Sequence, residues 1–223
     1  ESIRNEKVKV LKSLRKMNVH DVRKTVVRGR YQSYRSEQNV DANSNTETYL
    51  ALKTYVDNPR WKGVPFYIRT GKMLPKKTTE VIIQFKKPNE LLYGDINPNF
   101  LVIKVQPHER IFLRFNAKKP GNKFIINPVN MDFCQNCEIG AISPEAYERL
   151  LSDVMRDDAT LFARWDEVES SWRFIDQIVS AWDNINPNFP NYDDNSWGPV
   201  ASDYLLAKDN NHWINLEEDN ENI

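Results

Sequence analysis

Cysteine is nearly absent from this 223-residue chain, which holds only Cys134 and Cys137, in the run DFCQNCEIG. Two thiols cannot build a four-thiolate zinc site, and the three histidines, His20, His108 and His212, are too scattered for ligand spacing, so no metal is expected. A redox CxxC opens a helix after a strand, whereas Gly140 and Ile142 follow here before any helix signal. The pair therefore reads as incidental, reduced thiols of a cytoplasmic protein. Long apolar runs are missing as well. No segment approaches the roughly 20 apolar residues of a membrane helix, and no signal-like run opens the chain, so no membrane partner is expected. The first residue is Glu1 rather than Met, which suggests a start inside a longer polypeptide.

Several chemical motifs are lacking too. There is no GxSxG elbow, no P-loop and no GxGxxG after a strand, which removes the usual serine nucleophile and the standard phosphate cradles. His108, beside Glu109, is the one histidine near a promising loop, and a lone histidine there is more often a turn residue. The carboxylate pairs Asp157/Asp158 and Glu217/Glu218 lie in acidic, solvated segments. No catalytic residue is assigned within this chain.

What is present is ordinary globular material: 40% hydrophobic and 28% charged residues, on a length that can bury a full core. The formal net charge of zero conceals a division. Residues 1–140 carry 26 Lys/Arg against 13 Asp/Glu, and residues 141–223 carry 5 against 18. A basic body can bind an anion, and the acidic region can pair with it within the chain or across subunits. The basic residues are scattered through strand-like segments rather than gathered in a stripe, which argues against a nucleic-acid partner.

The opening run to Met17 has helical spacing, with acids early and bases late. Strand patterns follow at Thr25–Tyr34, Thr46–Val56, VPFYIR, EVIIQF, Phe100–Gln106, Arg110–Lys118 and MDFCQ. The polar DANSN is a turn or loop. Short loops and no intervening helices predict an antiparallel sheet. From Ile142 the pattern turns helical. Ser143 and Pro144 precede EAYERLLSDVMR, and Asp166 with Glu169 resembles a capping box before VESSWRFIDQIVSAW. In that helix Val168, Trp172, Ile175, Val179 and Trp182 form a stripe expected to pack on a sheet face. VASDYLLAK is a short helical piece. Residues 1–213 read as a single domain and 214–223 as a disordered tail. INPNF occurs twice, at Ile96 and Ile185, with unrelated flanks, which is coincidence rather than repetition.

The segment GVPFYIRTGKMLPKKTTEVIIQF, Gly63 to Phe85, sets a short loop between two segments that read as buried strands. Gly71 and Pro75 suffice for a turn. Lys72, Lys76 and Lys77 repel one another unless an anion is near, so the loop is shaped for a ligand.

The longer stretch DNPRWKGVPFYIRTGKMLPKKTTEVIIQFK resembles the C-terminal part of glucose-6-phosphate dehydrogenases. NEKVKVLKSLR, SNTETYLALKTYVDN, LVIKVQPHERI, PEAYERLLSDVMRDDATLF, RWDEVESSW and NSWGP follow the family's order, so the resemblance runs from about Ile3 to Trp213. It implies an α+β fold: a large, mostly antiparallel β-sheet with helices packed on one face, the sheet carrying a homodimer or tetramer contact. The Rossmann-like coenzyme domain, and the catalytic His with its Asp partner, would lie upstream. The activity implied for the whole protein is oxidation of glucose 6-phosphate to its lactone with reduction of NADP, in the oxidative pentose phosphate pathway. The fragment alone would be inactive.

By resemblance, Lys72 in RTGK and Lys77 five residues on would contact glucose 6-phosphate, with Gln106 in KVQP as a third contact. Ammonium and amide groups suit a phosphate and sugar hydroxyls. Arg69, Lys104 and Trp213 align with a second, structural NADP site of animal relatives. Thr78, Ile82 and Trp197 stand where that site has basic residues, which implies its absence, as in bacterial relatives. A non-catalytic dimerising or sugar-phosphate-sensing module fits the fragment almost as well, whereas the acidic helical half and the lack of a basic stripe disfavour a single-stranded nucleic-acid binder.

Overall fold

The computed structural model describes residues 1–87, 96–107, 109–134, 146–183, 185 and 187–215. The elements in chain order are α1 (Ser2–Lys12), α2 (Val19–Thr25), β1 (Val26–Gly29), β2 (Tyr49–Tyr55), β3 (Pro65–Gly71), β4 (Thr79–Gln84), β5 (Phe100–Gln106), β6 (Arg110–Lys118), β7 (Ile126–Cys134), α3 (Ala146–Met155), α4 (Trp165–Trp182) and α5 (Ala201–Ala207). The chain is α+β, and every ladder between these strands is antiparallel. The strands form two sheets, β1-β2-β3 and β4-β5-β6-β7. They belong to two compact units, one of Glu1–Pro75 with Tyr147–Ile223 and one of Lys76–Ala146. His108, Cys137, Ser143, Pro144 and the end of the expected tail, 216–223, lie outside the described residues.

In the first unit, β2 runs between β1 and β3 and is covered on both faces. Successive side chains of a strand point to opposite faces, so a strand covered on both sides has few polar positions. Leu52 joins Met17, Val22, Val26, Phe174, Ile178 and Ala181 in one cluster, while Tyr49 and Ala51 join Tyr31, Tyr192, Leu205 and Leu206 in the other. Helices α2 and α4 thus serve one face, and α5 with the segment around Tyr192 serves the other.

The β1 pattern stops earlier than Tyr34. The amide of Arg30 donates to Asn191 Oδ1 and that of Tyr31 to Thr48 Oγ1, so side chains take over from the ladder. Tyr31 makes an isolated parallel bridge to Tyr192, and Tyr34–Ser36 is a 3-10 turn.

Helix ends also differ from the sequence reading. The capping box belongs to α2, where Asn18 accepts from the amide of Asp21 and the Asp21 carboxylate accepts from the amide of Asn18. On α4 the N-cap is Arg164 and no side chain caps it. Asp166 instead takes both Nε and Nη2 of Arg164 at 2.7 Å, a charge-assisted pair that engages the expected cap.

The expected stripe on α4 needs the same kind of correction. The buried residues are Ser170, Phe174, Ile178 and Ala181, whereas Trp172 is 59% and Val179 44% exposed. Ile175 and Trp182 flank the buried face. Two apolar stripes share this helix at helical spacing, and only packing selects between them.

Part of the charge division is spent inside this unit. Lys53 meets Asp209 at 2.5 Å and Lys7 meets Glu167 at 3.7 Å, each pairing the basic part with the acidic one.

The second unit is a meander of four strands. Across it Val81, Ile103, Ile111 and Phe133 stand in one row, and Ile83, Leu101, Leu113 and Met131 in the next. Directly opposed residues share a face, so these rows make one continuous apolar face. It is open: Val81, Ile111, Met131 and Phe133 are 49%, 43%, 64% and 64% exposed. The opposite face carries charges in pairs, Lys104 with Glu80 and Arg110 with Asp132, around the buried Val102. The strands flanking the lysine loop are consequently not buried ones, since Ile68 and Phe85 are each 45% exposed as well. Among the described residues no helix is long and apolar enough to cross a membrane.

Candidate functional site

Lys72 is the first residue beyond β3, and its backbone is tied at both ends. Its amide donates to the carbonyl of Thr48 at 2.8 Å, and its carbonyl accepts from the Tyr192 phenol at 2.9 Å. Thr48 Oγ1 lies 2.8 Å from the same phenol oxygen and can donate to it, which leaves the Tyr192 proton for Lys72. Burial, more than the opposing hydrogen bond from Thr48, pushes the Tyr192 phenol above its ordinary pKa, so it stays a donor through neutral pH.

Two further features fix the turn. A Cβ on Gly71 would stand 2.7 Å from Tyr49 Cδ2, so glycine is required for this approach. Met73 follows with φ 49°, and its carbonyl accepts from the amide of Asn195 at 2.8 Å. The Lys72 side chain itself is exposed and has no ion pair among the described residues. A rigid backbone thus presents an unneutralised ammonium, which suits capture of an anion from solvent.

In the second unit, Lys77 and Gln106 come to one end of the four-stranded sheet. Thr79 stands opposite Gln106, next to a bulge at Thr79/Glu80. Thr78 Oγ1 lies 3.1 Å from the Gln106 carbonyl and 2.9 Å from Glu80 Oε1, so the backbone beside Lys77 is held to that of Gln106. Both side chains are exposed.

The residues aligned with the second NADP site have other engagements. The Arg69 guanidinium is sandwiched between Trp197 at 4.6 Å and Trp213 at 4.7 Å, and donates to Asn215 Oδ1 at 2.8 Å. Lys104 faces Glu80 at 3.9 Å. Trp197 therefore stacks on the arginine instead of adding a charge, and the residues present do not fit a multiply charged dinucleotide. Among the described residues no group of three His, Cys, Asp or Glu could hold a metal ion.

Tyr192, Thr48 and Asn195 were not legible as site residues. Tyr192 lies 120 positions from the carbonyl it fixes, in a segment whose Asn, Asp and Pro content reads only as loop.

The chain is antiparallel α+β and presents the exposed Lys72 on a backbone tied at both ends. Its relatives are specific. The family described as "Glucose-6-phosphate dehydrogenase, C-terminal domain" matches residues 1–214, and the chain belongs to that family. Glucose-6-phosphate 1-dehydrogenase of Bacillus subtilis is 47% identical over 97% of this chain and 47% of its own length. The Chlamydia trachomatis enzyme of that name is 41% identical over 96% of this chain and 52% of its own. The chain thus spans about half the length of the curated relatives it matches.

Among solved structures, a glucose-6-phosphate dehydrogenase in complex with its substrate glucose-6-phosphate matches with a TM-score of 0.84 and 30% identity, over 96% of this chain and 46% of that one. The enzyme from Mycobacterium avium matches with a TM-score of 0.77 and 30% identity, over 95% and 44%.

Proposed function

We propose that residues 1–213 are the substrate-binding and dimerisation domain of a cytoplasmic, NADP-dependent glucose-6-phosphate dehydrogenase, whose whole chain oxidises glucose 6-phosphate to 6-phosphogluconolactone. The observation that carries this reading is the exposed ammonium of Lys72, without an ion pair among the described residues, on a backbone tied by Thr48 and Tyr192 within a chain matched to the family over 1–214.

Lys72 supplies positive charge to the phosphate. Lys77, a basic group, and Gln106, an amide suited to sugar hydroxyls, are the candidate substrate groups of the second unit. NADP, held by residues outside this chain, accepts the hydride, and the base that removes the hydroxyl proton lies outside it too. The test is reduction of NADP by the full-length protein with a panel of hexose phosphates. Strong preference for glucose 6-phosphate is expected, and inactivity with every member would leave a sensing or dimerising module.

The open apolar face of the four-stranded sheet takes a second copy of the same chain. An apolar row on a sheet gains most from a partner presenting the same row, as in an isologous contact. Replacing Ile111 and Met131 by Lys should turn the dimer or tetramer into monomers by light scattering, with the circular dichroism unchanged. An unchanged mass would refute this use of the face.

A further inference from the structure

We propose that Arg30 and Arg35 form a receptor for a phosphate group, free or carried as a monoester. Arg30 is only 2% exposed. Its backbone is clamped by Asn191, whose Oδ1 accepts from the Arg30 amide and whose own amide donates to the Arg30 carbonyl, both at 3.0 Å. Its guanidinium lies 5.2 Å from the Phe189 ring. Its Nη1 donates to the carbonyl of Ser44 at 2.6 Å, and Arg35 Nε donates to that same carbonyl at 3.0 Å. Arg35 Nη2 adds Asn45 Oδ1 at 3.0 Å.

Two guanidinium groups thus converge on one neutral oxygen. Among the described residues neither has a carboxylate in ion-pair reach, whereas Arg28, two positions before Arg30, meets Glu47 at 2.9 Å. The other acids of the intervening loop are engaged elsewhere, Glu37 by the Tyr31 phenol at 3.4 Å and Asp41 by the amide of Asn43 at 2.6 Å. Burial lowers the pKa of Arg30, and the charge of Arg35 lowers it further. A buried cation beside a like charge is costly unless an anion joins it. Among the described residues the Arg30 guanidinium donates through Nη1 alone, and its Nε/Nη2 fork matches two oxygens of a tetrahedral oxoanion. A dianion balances both charges, which favours phosphate over a carboxylate.

The experiment follows the melting temperature of the full-length protein against inorganic phosphate, glycerol 3-phosphate and chloride at matched ionic strength. All variants are built on Lys72→Ala, so that phosphate at the lysine loop does not contribute. A saturable rise with a phosphate that chloride does not reproduce is expected in that background. The rise should disappear in Arg30→Gln and need at least about tenfold more phosphate in Arg35→Gln, an exposed position where the fold is retained. In phosphate-free buffer Arg30→Gln should melt at or above its parent, because an unneutralised buried charge has gone. The lower half-saturation, for the ion or for the ester, identifies which form the site takes. Equal rises with chloride, equal rises in both arginine variants, or no rise at all would overturn the proposal.

Discussion

The phenol of Tyr192 donates to the backbone carbonyl of Lys72 across 2.9 Å, joining the acidic end of the chain to the basic loop. The bond holds the turn from which the Lys72 side chain projects. Tyr192→Phe should cost about 1–2 kcal/mol of stability, since a part-buried carbonyl loses its partner. It should also raise KM for glucose 6-phosphate severalfold with little change in kcat, which steady-state kinetics on the full-length protein would show. Unchanged KM would mean that the turn holds without it.

The two faces of α4 make unequal demands. Ile178 is 1% exposed, and Ile178→Ala should cost about 3 kcal/mol in denaturant unfolding. Trp172, 59% exposed, should tolerate Ala within about 0.5 kcal/mol in the 223-residue chain. Equal costs would restore the stripe expected from periodicity.

Acid should weaken the first unit through Asp209. Hydrogen bonds from Lys53 and then from the Tyr67 phenol hold its carboxyl below the ordinary carboxylate range. A depressed pKa contributes stability that is present above the unfolded value, about 3.9, and is lost as pH falls through the folded one. Asp209→Asn should therefore cost about 1 kcal/mol at neutral pH, with parent and variant converging at the acid end of a melting series. A constant difference at all pH values would contradict this.

The second NADP site should be missing. Arg69 is occupied by two indoles and Asn215, so micromolar NADP should leave the melting temperature of the 223-residue chain unmoved. A rise would show that the arginine can be released to a phosphate.

Local patterning carried much of the fold. Phe100–Gln106 and Arg110–Lys118 are strands at the bounds read from the sequence, because short runs rich in Val, Ile, Leu and Phe are bounded there by polar and Pro-containing segments. Short-range chemistry misled where a tertiary partner intervened. Asp166 has a cap's identity but serves Arg164, and the strand from Thr25 ends at Gly29 because Asn191 and Thr48 satisfy the next amides. The lysine loop stands out in the sequence by its crowded charge. Its supports were not, since Tyr192, Asn195 and Thr48 meet it only through long-range contacts that no spacing rule encodes.

The proposed binding of the substrate phosphate by Lys72 is tested most directly by the initial rate of NADP reduction with glucose 6-phosphate by full-length parent and Lys72→Ala proteins. The expected result is a fall in kcat/KM of at least about a hundredfold while both proteins melt alike. Equal kcat/KM in the two would contradict it and remove the lysine from the site.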